Sequence, residues 1–585
     1  MNYKEEFSKL LFEAINNQEI TKDFIKKNIV QPPNLDLGDI AFPCFSLAKE
    51  LKKAPKDITD ELIEKLNSKH FTFFAVNGYV NAKIKPSLLF ENTVKEIITL
   101  GKEYGRVKLE SKQYVIDTFQ PNPLKMLHIG HIRNGVVGEA IHRLLDFINQ
   151  DSKPVSYMGD IGTHIAKWMW YYKNFLKEED KVVPKENVSK WFGNIYLKSG
   201  EKLEENEDYK EDIEKIQVDL ITNKELQKEL KDLVKASFDA YLVVANELDI
   251  TLVDNVFESE CEVKFNKKIK DDLFNKHKDV FIEDDNAIVA DLKDKELGNF
   301  ILIKSNGALL YGAKDIGLLD IKKDKFPNCN DFLYVVASEQ DFYFKQLFKL
   351  FSLIYPDVNN YHINFGLVNT PEGKMKSREG NMILYEDFRD SLFSKVENVL
   401  KDNDLEVDAQ VIKDISFGTI KFEMLKIATH KNFVFDLEKA IDLQGDSSAY
   451  VQYSGVRAKS ILNKSNSLDI SIDKINTNID FEKEELILLN KLNEFKEKVI
   501  YAAKNYKPNV IANYSLELAH VFNKFYTNCQ VLHSDSNIKN NRLLLVRAFL
   551  ITLENALYLL GINIPKKMWF FRKRSIYKYF GVIYI

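Results

Sequence analysis

Cysteine is scarce: Cys44, Cys261, Cys329 and Cys529 are the only four in 585 residues, and no two form a CxxC pair. That excludes a disulfide framework and a cysteine-based zinc site, and it fits a reducing compartment. Long apolar runs are missing too. The most apolar stretch, Leu543 to Ile564, is broken by Arg547 and Glu554, so no membrane-spanning helix is expected. The N-terminal segment has no basic-then-apolar pattern and carries Glu5 and Glu6, so neither a signal nor a transit peptide is expected. Arginine is the third shortage. It supplies ten of the 82 basic residues, and lysine the other 72. Such a bias points to genome composition, and it singles out each remaining arginine, because lysine cannot supply a planar fork.

What is present is globular. Apolar residues make up 45% and charged residues 29%, which excludes disorder, collagen and coiled coil for the whole chain. The length suggests roughly three to five domains. The net charge of −5 does not mark a nucleic-acid binder, but it is unevenly spread. Ser536 to Ile585 holds nine basic residues against one acid, Glu554, giving +8 there and −13 elsewhere.

The patterning divides the chain. Residues 1–108 read as a small α+β unit, with helical spacing at Phe7, Leu10, Leu11, Ala14 and Ile15 and a hairpin over Phe71–Ile84 through Asn77–Gly78. From about 109 the pattern becomes α/β. Tyr114–Phe119 predicts a strand, Gln120–Leu127 a loop, Val136 to Leu145 a helix and Val155–Met158 a second strand. That is a βαβ unit on a parallel, doubly wound sheet. Residues 175–290, rich in Lys and Glu, read as a helical insertion into a domain spanning 109–410, with sheet pattern returning at Phe300–Lys304 and Phe332–Val336. Residues 411–568 are helical almost throughout, and 569–585 form a basic, aromatic tail.

Two segments carry chemistry. His128-Ile129-Gly130-His131 follows a strand and opens a helix. A helix N-terminus offers free N–H groups and partial positive charge, two imidazoles can bond a triphosphate, and Gly130 lets a flat base approach. Gly373 to Asn381 (GKMKSREGN) is a glycine-flanked basic loop suited to stabilising a leaving pyrophosphate.

HIGH followed by a KMSKS-like loop resembles the class I aminoacyl-tRNA synthetases. Residues 120–145, Tyr157–Trp168, Leu310–Gly317 and Tyr334–Phe348 resemble the arginyl-tRNA synthetase family in order and spacing. So do Leu37–Phe42 and Asn77–Ile84 in its N-terminal tRNA-elbow domain, and Ala449–Leu462 and Leu543–Met568 in its helical anticodon-binding domain. The resemblance implies a multidomain α/β plus α protein: a Rossmann-type catalytic core, an α+β N-terminal domain and an all-α C-terminal domain. It implies an arginine–tRNA ligase that uses ATP with Mg²⁺ and no zinc, acts on tRNA(Arg), and is a cytoplasmic monomer with no membrane partner.

For the residues, the resemblance places Asp117, Asn122, His131, Tyr311, Asp315 and Gln340 around arginine. His128, Gly130, His131, Lys374, Met375, Lys376, Ser377 and Arg378 would hold ATP. Tyr450, Gln452, Tyr453 and Arg457 would meet the anticodon bases. Arg133, Arg378 and Arg457 fall in or beside these segments, which suggests phosphate forks. Tyr311 and Asp315 stand i, i+4, and a guanidinium suits carboxylates and aromatic faces. Two departures stand out. Ser377 occupies the fourth KMSKS position, usually lysine; family members lacking it tend to carry a lysine just before HIGH, and here Lys125 stands three residues before His128. The tail from Trp569 extends past the family's usual end. The alternatives are a catalytically silent tRNA-binding paralogue and, with no cysteine cluster for its zinc, cysteinyl-tRNA synthetase.

Overall fold

A computed structural model describes residues 3–568, apart from 33–36, 267–269, 293–295, 370–383, 403–406, 442–444, 466–469 and 477–478. The described residues form two compact units. One holds the chain up to Tyr104 with Ala458–Glu494 and His520–Thr552; the other holds Gly105–Arg457, Phe495–Ala519 and the chain from Leu553. The residues expected as a separate helical domain, 411–568, thus contribute to both.

In the first unit, β1 (Ile40–Pro43), β2 (Phe71–Val76) and β3 (Tyr79–Ile84) form an antiparallel sheet ordered β1-β3-β2. The hairpin turns at Asn77 (φ 50°) and Gly78 (φ 77°), the paired positive φ that Asn-Gly adopts and that matches strand twist. The helix Tyr3–Ile15 packs Phe7 on Phe71 and Phe73. Within the same unit Asp39 accepts a bond from the Ile84 amide at 2.7 Å and another from Asn490 at 3.2 Å.

In the second unit, β4 (Gln113–Asp117), β5 (Asp151–Met158) and β6 (Asp254–Phe257) belong to the parallel sheet. Then β7 (Phe281–Asp284), β8 (Ala287–Asp291) and β9 (Asn299–Ile303) form a separate antiparallel meander. The parallel sheet is completed by β10 (Asp331–Ala337) and β11 (Asn359–Phe365), in the order β11-β10-β4-β5-β6. Counted in chain order this is 3-2-1-4-5, the dinucleotide-fold arrangement, with its switch point between β4 and β10.

One expectation needs correcting. The Lys/Glu-rich stretch 175–290 is helical to Glu247, but beyond it β6, β7 and the start of β8 alternate with two short helices, Glu258–Lys264 and Lys270–Lys276. The strand expected at Phe300–Lys304 is β9 and belongs to the meander. Strands of four and five residues flanked by charge give too few alternations to set a period.

The sheet is covered on both faces. The helix Ile129–Phe147 packs on β4, β5 and β10, and Gly138 makes this possible: a Cβ there would sit 1.9 Å from Thr118 Oγ1. On the other face Val115, Phe332 and Tyr334 share a core with Ile316, Leu319, Leu347 and Phe351. That core brings the helix Tyr311–Lys325 under the C-terminal end of β4.

Candidate active site

Asp117 ends β4 opposite Tyr334 of β10, and there the two strands part. The gap is filled by Asn134, buried on the helix Ile129–Phe147. Its Oδ1 accepts from the Phe119 amide and its Nδ2 donates to the Val335 carbonyl at 2.6 Å. One neutral side chain thus satisfies the ladder groups that the divergence frees, and the crevice opens without an unpaired buried amide.

His128 caps the helix that leads from this crevice. Its Nδ1 accepts from the Gly130 amide at 3.1 Å, and its own amide lies 3.3 Å from His131 Nδ1. Accepting at Nδ1 leaves the proton on Nε2 in both rings. The rings stack with centroids 3.6 Å apart. Burial, with the Lys125 ammonium nearby, lowers the His128 pKa to about 4; burial, His128 and Lys125 hold His131 well below its usual range. Near neutral pH the motif is therefore a pair of uncharged Nε2–H donors. It can meet growing negative charge without first giving up a proton.

The loop before His128 is fixed from outside. Tyr241 Oη donates to the Lys125 carbonyl at 2.7 Å, lies 3.0 Å from the Asn122 carbonyl and accepts from the Lys125 amide at 3.3 Å. Ser237 and Ser189 accept from the Leu124 and Leu127 amides. These side chains sit on the helices Lys224–Glu247 and Val188–Glu205, so the helical insertion holds the loop that carries Asn122 and Lys125. Leu124 and Phe119 have φ of 62° and 48°, left-handed conformations unusual for apolar residues, and the surrounding bonds impose them.

A polar pocket lies beneath. Asp117 is buried against Lys322, whose ammonium is 4.6 Å from the Tyr334 ring centroid. Its second oxygen has no partner among the described residues, nor has the buried Tyr157 hydroxyl. Asp315 accepts from Tyr343 Oη. Burial pushes its carboxyl up to about 7, against the pull of Tyr343 and Lys322. Nearby, Lys314 pairs with Glu258 and Glu262. A Cβ at Gly159 would meet Glu258 Oε2 at 2.8 Å and Asn122 Oδ1 at 3.1 Å, so these oxygens converge there. The arrangement suits a cation: carboxyl and phenol oxygens in a dry pocket, two of them with free lone pairs.

The expected residues are placed unequally. Asp117 and Asp315 face the same pocket, and Asn122 stands at its mouth. Tyr311 is 68% exposed at the helix start, and Gln340 is exposed at the Ser338–Gln340 turn beside the equally exposed Glu339. The expected ATP-loop residues Lys374, Met375, Lys376, Ser377 and Arg378 lie outside the described residues. Tyr450, Tyr453 and Arg457 share the helix Ser448–Lys464, the Arg457 guanidinium 4.7 Å from the Tyr453 ring centroid.

Gln452 must be removed from the anticodon set. It is fully buried, and its amide donates to the carbonyls of Asp414 (2.9 Å) and Asn563 (2.7 Å), so it has no face for a base. Arg133 is likewise not a phosphate fork. It is fully buried and donates to the carbonyls of Gly366, Thr429 and Lys431, over the Phe433 ring. It thereby anchors the paired segments β12 (Val368–Asn369) and β13 (Phe433–Val434). Sequence reasoning missed Tyr157, Lys322, Tyr343 and Tyr241. Lys322, Tyr343 and Tyr241 bond residues 28 or more positions away, and no local spacing marks any of the four.

A dinucleotide-type sheet with HIGH at its switch point is the architecture of a class I synthetase catalytic domain. The model "tRNA synthetases class I (R), catalytic domain" matches residues 93–437, the arginyl tRNA synthetase N-terminal domain matches 2–84, and the DALR anticodon-binding domain matches 451–568. The chain is 32% identical to an arginine–tRNA ligase of Borreliella afzelii over 97% of its own length and 99% of the relative's. It is 30% identical to one of Clostridium perfringens, covering 96% and 100%. In fold it is similar to the Thermus thermophilus arginyl-tRNA synthetase (TM-score 0.77, 22% identity, 97% of this chain and 100% of that one). The chain belongs to the arginyl-tRNA synthetase family.

Proposed function

We infer that the chain is an arginine–tRNA ligase. The observation that carries this is a carboxylate pocket, formed by Asp117 and Asp315, at the switch point from which the helix carrying a pair of neutral imidazole donors leaves. The arginine carboxylate oxygen attacks the α-phosphorus of ATP, a bond forms to give arginyl-adenylate, and the bond to the β-phosphate breaks to release pyrophosphate. The arginyl group then passes to the 2′-hydroxyl of the terminal adenosine of tRNA(Arg). No protein nucleophile is needed. Catalysis is alignment plus stabilisation of the departing charge.

In this reading Asp315 meets the guanidinium, with Asp117 and Tyr157 offering the unpartnered oxygens. Asn122 and Glu258 stand where an α-amino group would lie. His128 and His131 donate through Nε2 to the phosphates, and Lys125 supplies the positive charge that Ser377 lacks. Residues 373–381 close the phosphate contacts. Mg²⁺ enters with the nucleotide as part of the substrate. Tyr450, Tyr453 and Arg457 face the anticodon, and 1–108, 109–410 and 411–568 serve as elbow, catalytic and anticodon regions. A cytoplasmic monomer fits, and among the described residues no helix is long and apolar enough to cross a membrane.

The test is pyrophosphate exchange across several amino acids, with and without tRNA. Exchange with arginine alone, and only when tRNA is present, is expected. Exchange with another amino acid, or none at all in the presence of arginine and tRNA(Arg), would overturn the reading.

A further inference from the structure

Two ammonium groups meet at one aromatic ring beside the HIGH helix. Lys125 Nζ lies 4.9 Å from the Tyr196 ring centroid, and Lys167 Nζ lies 4.3 Å from the same centroid. The three side chains come from the loop before His128, the helix Thr163–Asn174 and the helix Val188–Glu205. Both lysines are half-buried. Among the described residues neither has a carboxylate within ion-pair distance. By contrast the buried Lys314 and Lys322 are paired, Lys314 with Glu258 and Glu262 and Lys322 with Asp117, and so is the half-buried Lys264, with Asp320 and Asp324. Glu204 acts on Lys167 only from farther off.

Two cations that share a half-dry site and have no counter-ion repel each other, and burial makes each charge dearer. Lys125 shows both effects: burial lowers its pKa first, and Lys167 lowers it further. Tyr196 offers its ring face to both, which offsets part of the cost but brings no negative charge. The arrangement lacks an anion, and its two positive charges suit a polyanion better than a single phosphodiester, which one ammonium would balance. Its position is set by Lys125, whose backbone Tyr241 pins and whose charge reaches both His128 and His131.

We propose that Lys167 is a second phosphate-holding residue, which together with Lys125 across Tyr196 seats the β- and γ-phosphates of ATP and retains the pyrophosphate as it departs. The assignment rests on the ligase reading for its substrate. It gives the helical insertion a direct part in the site, since Tyr196 belongs to it.

The experiment uses the full-length protein with Lys167→Met and Lys167→Arg, and Lys125→Met for comparison, each checked by thermal melting. Binding of inorganic pyrophosphate and of AMP is measured by calorimetry, and KM for ATP, arginine and tRNA by adenylate formation and charging. Lys167→Met should weaken pyrophosphate about tenfold and raise the KM for ATP similarly, with AMP and arginine unchanged, as Lys125→Met should. Lys167→Arg should keep most of the affinity. Unchanged pyrophosphate binding in Lys167→Met, or AMP weakened as much as pyrophosphate, overturns the proposal. So does a rise confined to the KM for tRNA, which would assign the ammonium to a tRNA phosphate. If Lys167→Met does not fold, Lys167→Gln takes its place in the same comparison. Pyrophosphate binding needs neither amino acid nor tRNA, so a wild-type protein that binds it through Lys167 yet does not charge arginine would count against the ligase reading alone.

Discussion

Asp315 predicts that arginine binding releases a proton. Its carboxyl titrates at about 7 in the ligand-free pocket, raised chiefly by burial. A guanidinium placed against it favours the ionised form and should return the pKa to the ordinary range or below. Below pH 7 the ligand must therefore displace a proton before the ion pair can form. Each pH unit then costs about 1.4 kcal/mol, so affinity should fall about tenfold per unit and approach a hundredfold between pH 7 and pH 5. Above pH 8 it should be flat. His128 titrates at about 4 and His131 is held well below its usual range, so neither should add a step in this window. Calorimetry in buffers of different ionisation enthalpy counts the protons: close to one released at pH 6, none at pH 8.5. The ligand-free protein should show the converse. Because the folded pKa lies above the 3.8 of a free carboxyl, the fold loses stability as pH rises from about 4 to about 7, by at most about 4 kcal/mol from this group. Asp315→Asn should thus stabilise the ligand-free protein at pH 8 by about 1–3 kcal/mol while removing arginine binding. Constant affinity from pH 5 to pH 8, or no proton release at pH 6, would refute the argument.

Lys125→Ala should slow single-turnover adenylate formation about a hundredfold with little change in arginine binding, and Lys376→Ala much less; the reverse ranking would show that Lys376 supplies the missing charge. Tyr241→Phe removes the donor to the Lys125 carbonyl, so it should cost about 1–3 kcal/mol in denaturant melts and lower kcat for activation, with KM for tRNA unmoved. Gln452→Ala should lower Tm through two orphaned carbonyls, whereas Arg457→Ala should weaken tRNA binding at unchanged Tm in a filter-binding and calorimetry pair. Arg133→Lys should destabilise by about 2–4 kcal/mol, because one ammonium cannot reach three carbonyls held in a plane by a fork.

Much of the fold was legible because its main elements repeat a period or carry a turn signal. The strand ending at Asp117, the HIGH helix and the Asn77–Gly78 hairpin each announce themselves within about fifteen residues. β6 did not, because Asp254–Phe257 is four residues long and sits in charged surroundings. The HIGH residues were readable in the chain, but their tautomers were not: those follow from amides at 3.1 and 3.3 Å. Lys322 and Lys167 look like any of 72 lysines until folding places Asp117 or Tyr196 beside them. Gln452 misled for a related reason. A polar residue in an amphipathic helix reads as surface unless its buried carbonyl partners, 38 and 111 residues away, are known.

The fork of Arg133 changes the meaning of the arginine shortage. A coding bias toward lysine tests each basic position for whether a single point charge would do. Arg143 spans Glu139 and the carbonyls of Tyr558 and Asp249; Arg542 spans Glu485 and the carbonyl of Gln530; Arg133 spans three carbonyls. In each case one planar group bridges at least two acceptors at once in a fixed fork, which an ammonium on a flexible stem cannot do. These three positions thus mark joints within the protein where the fold depends on planar geometry and not on charge alone.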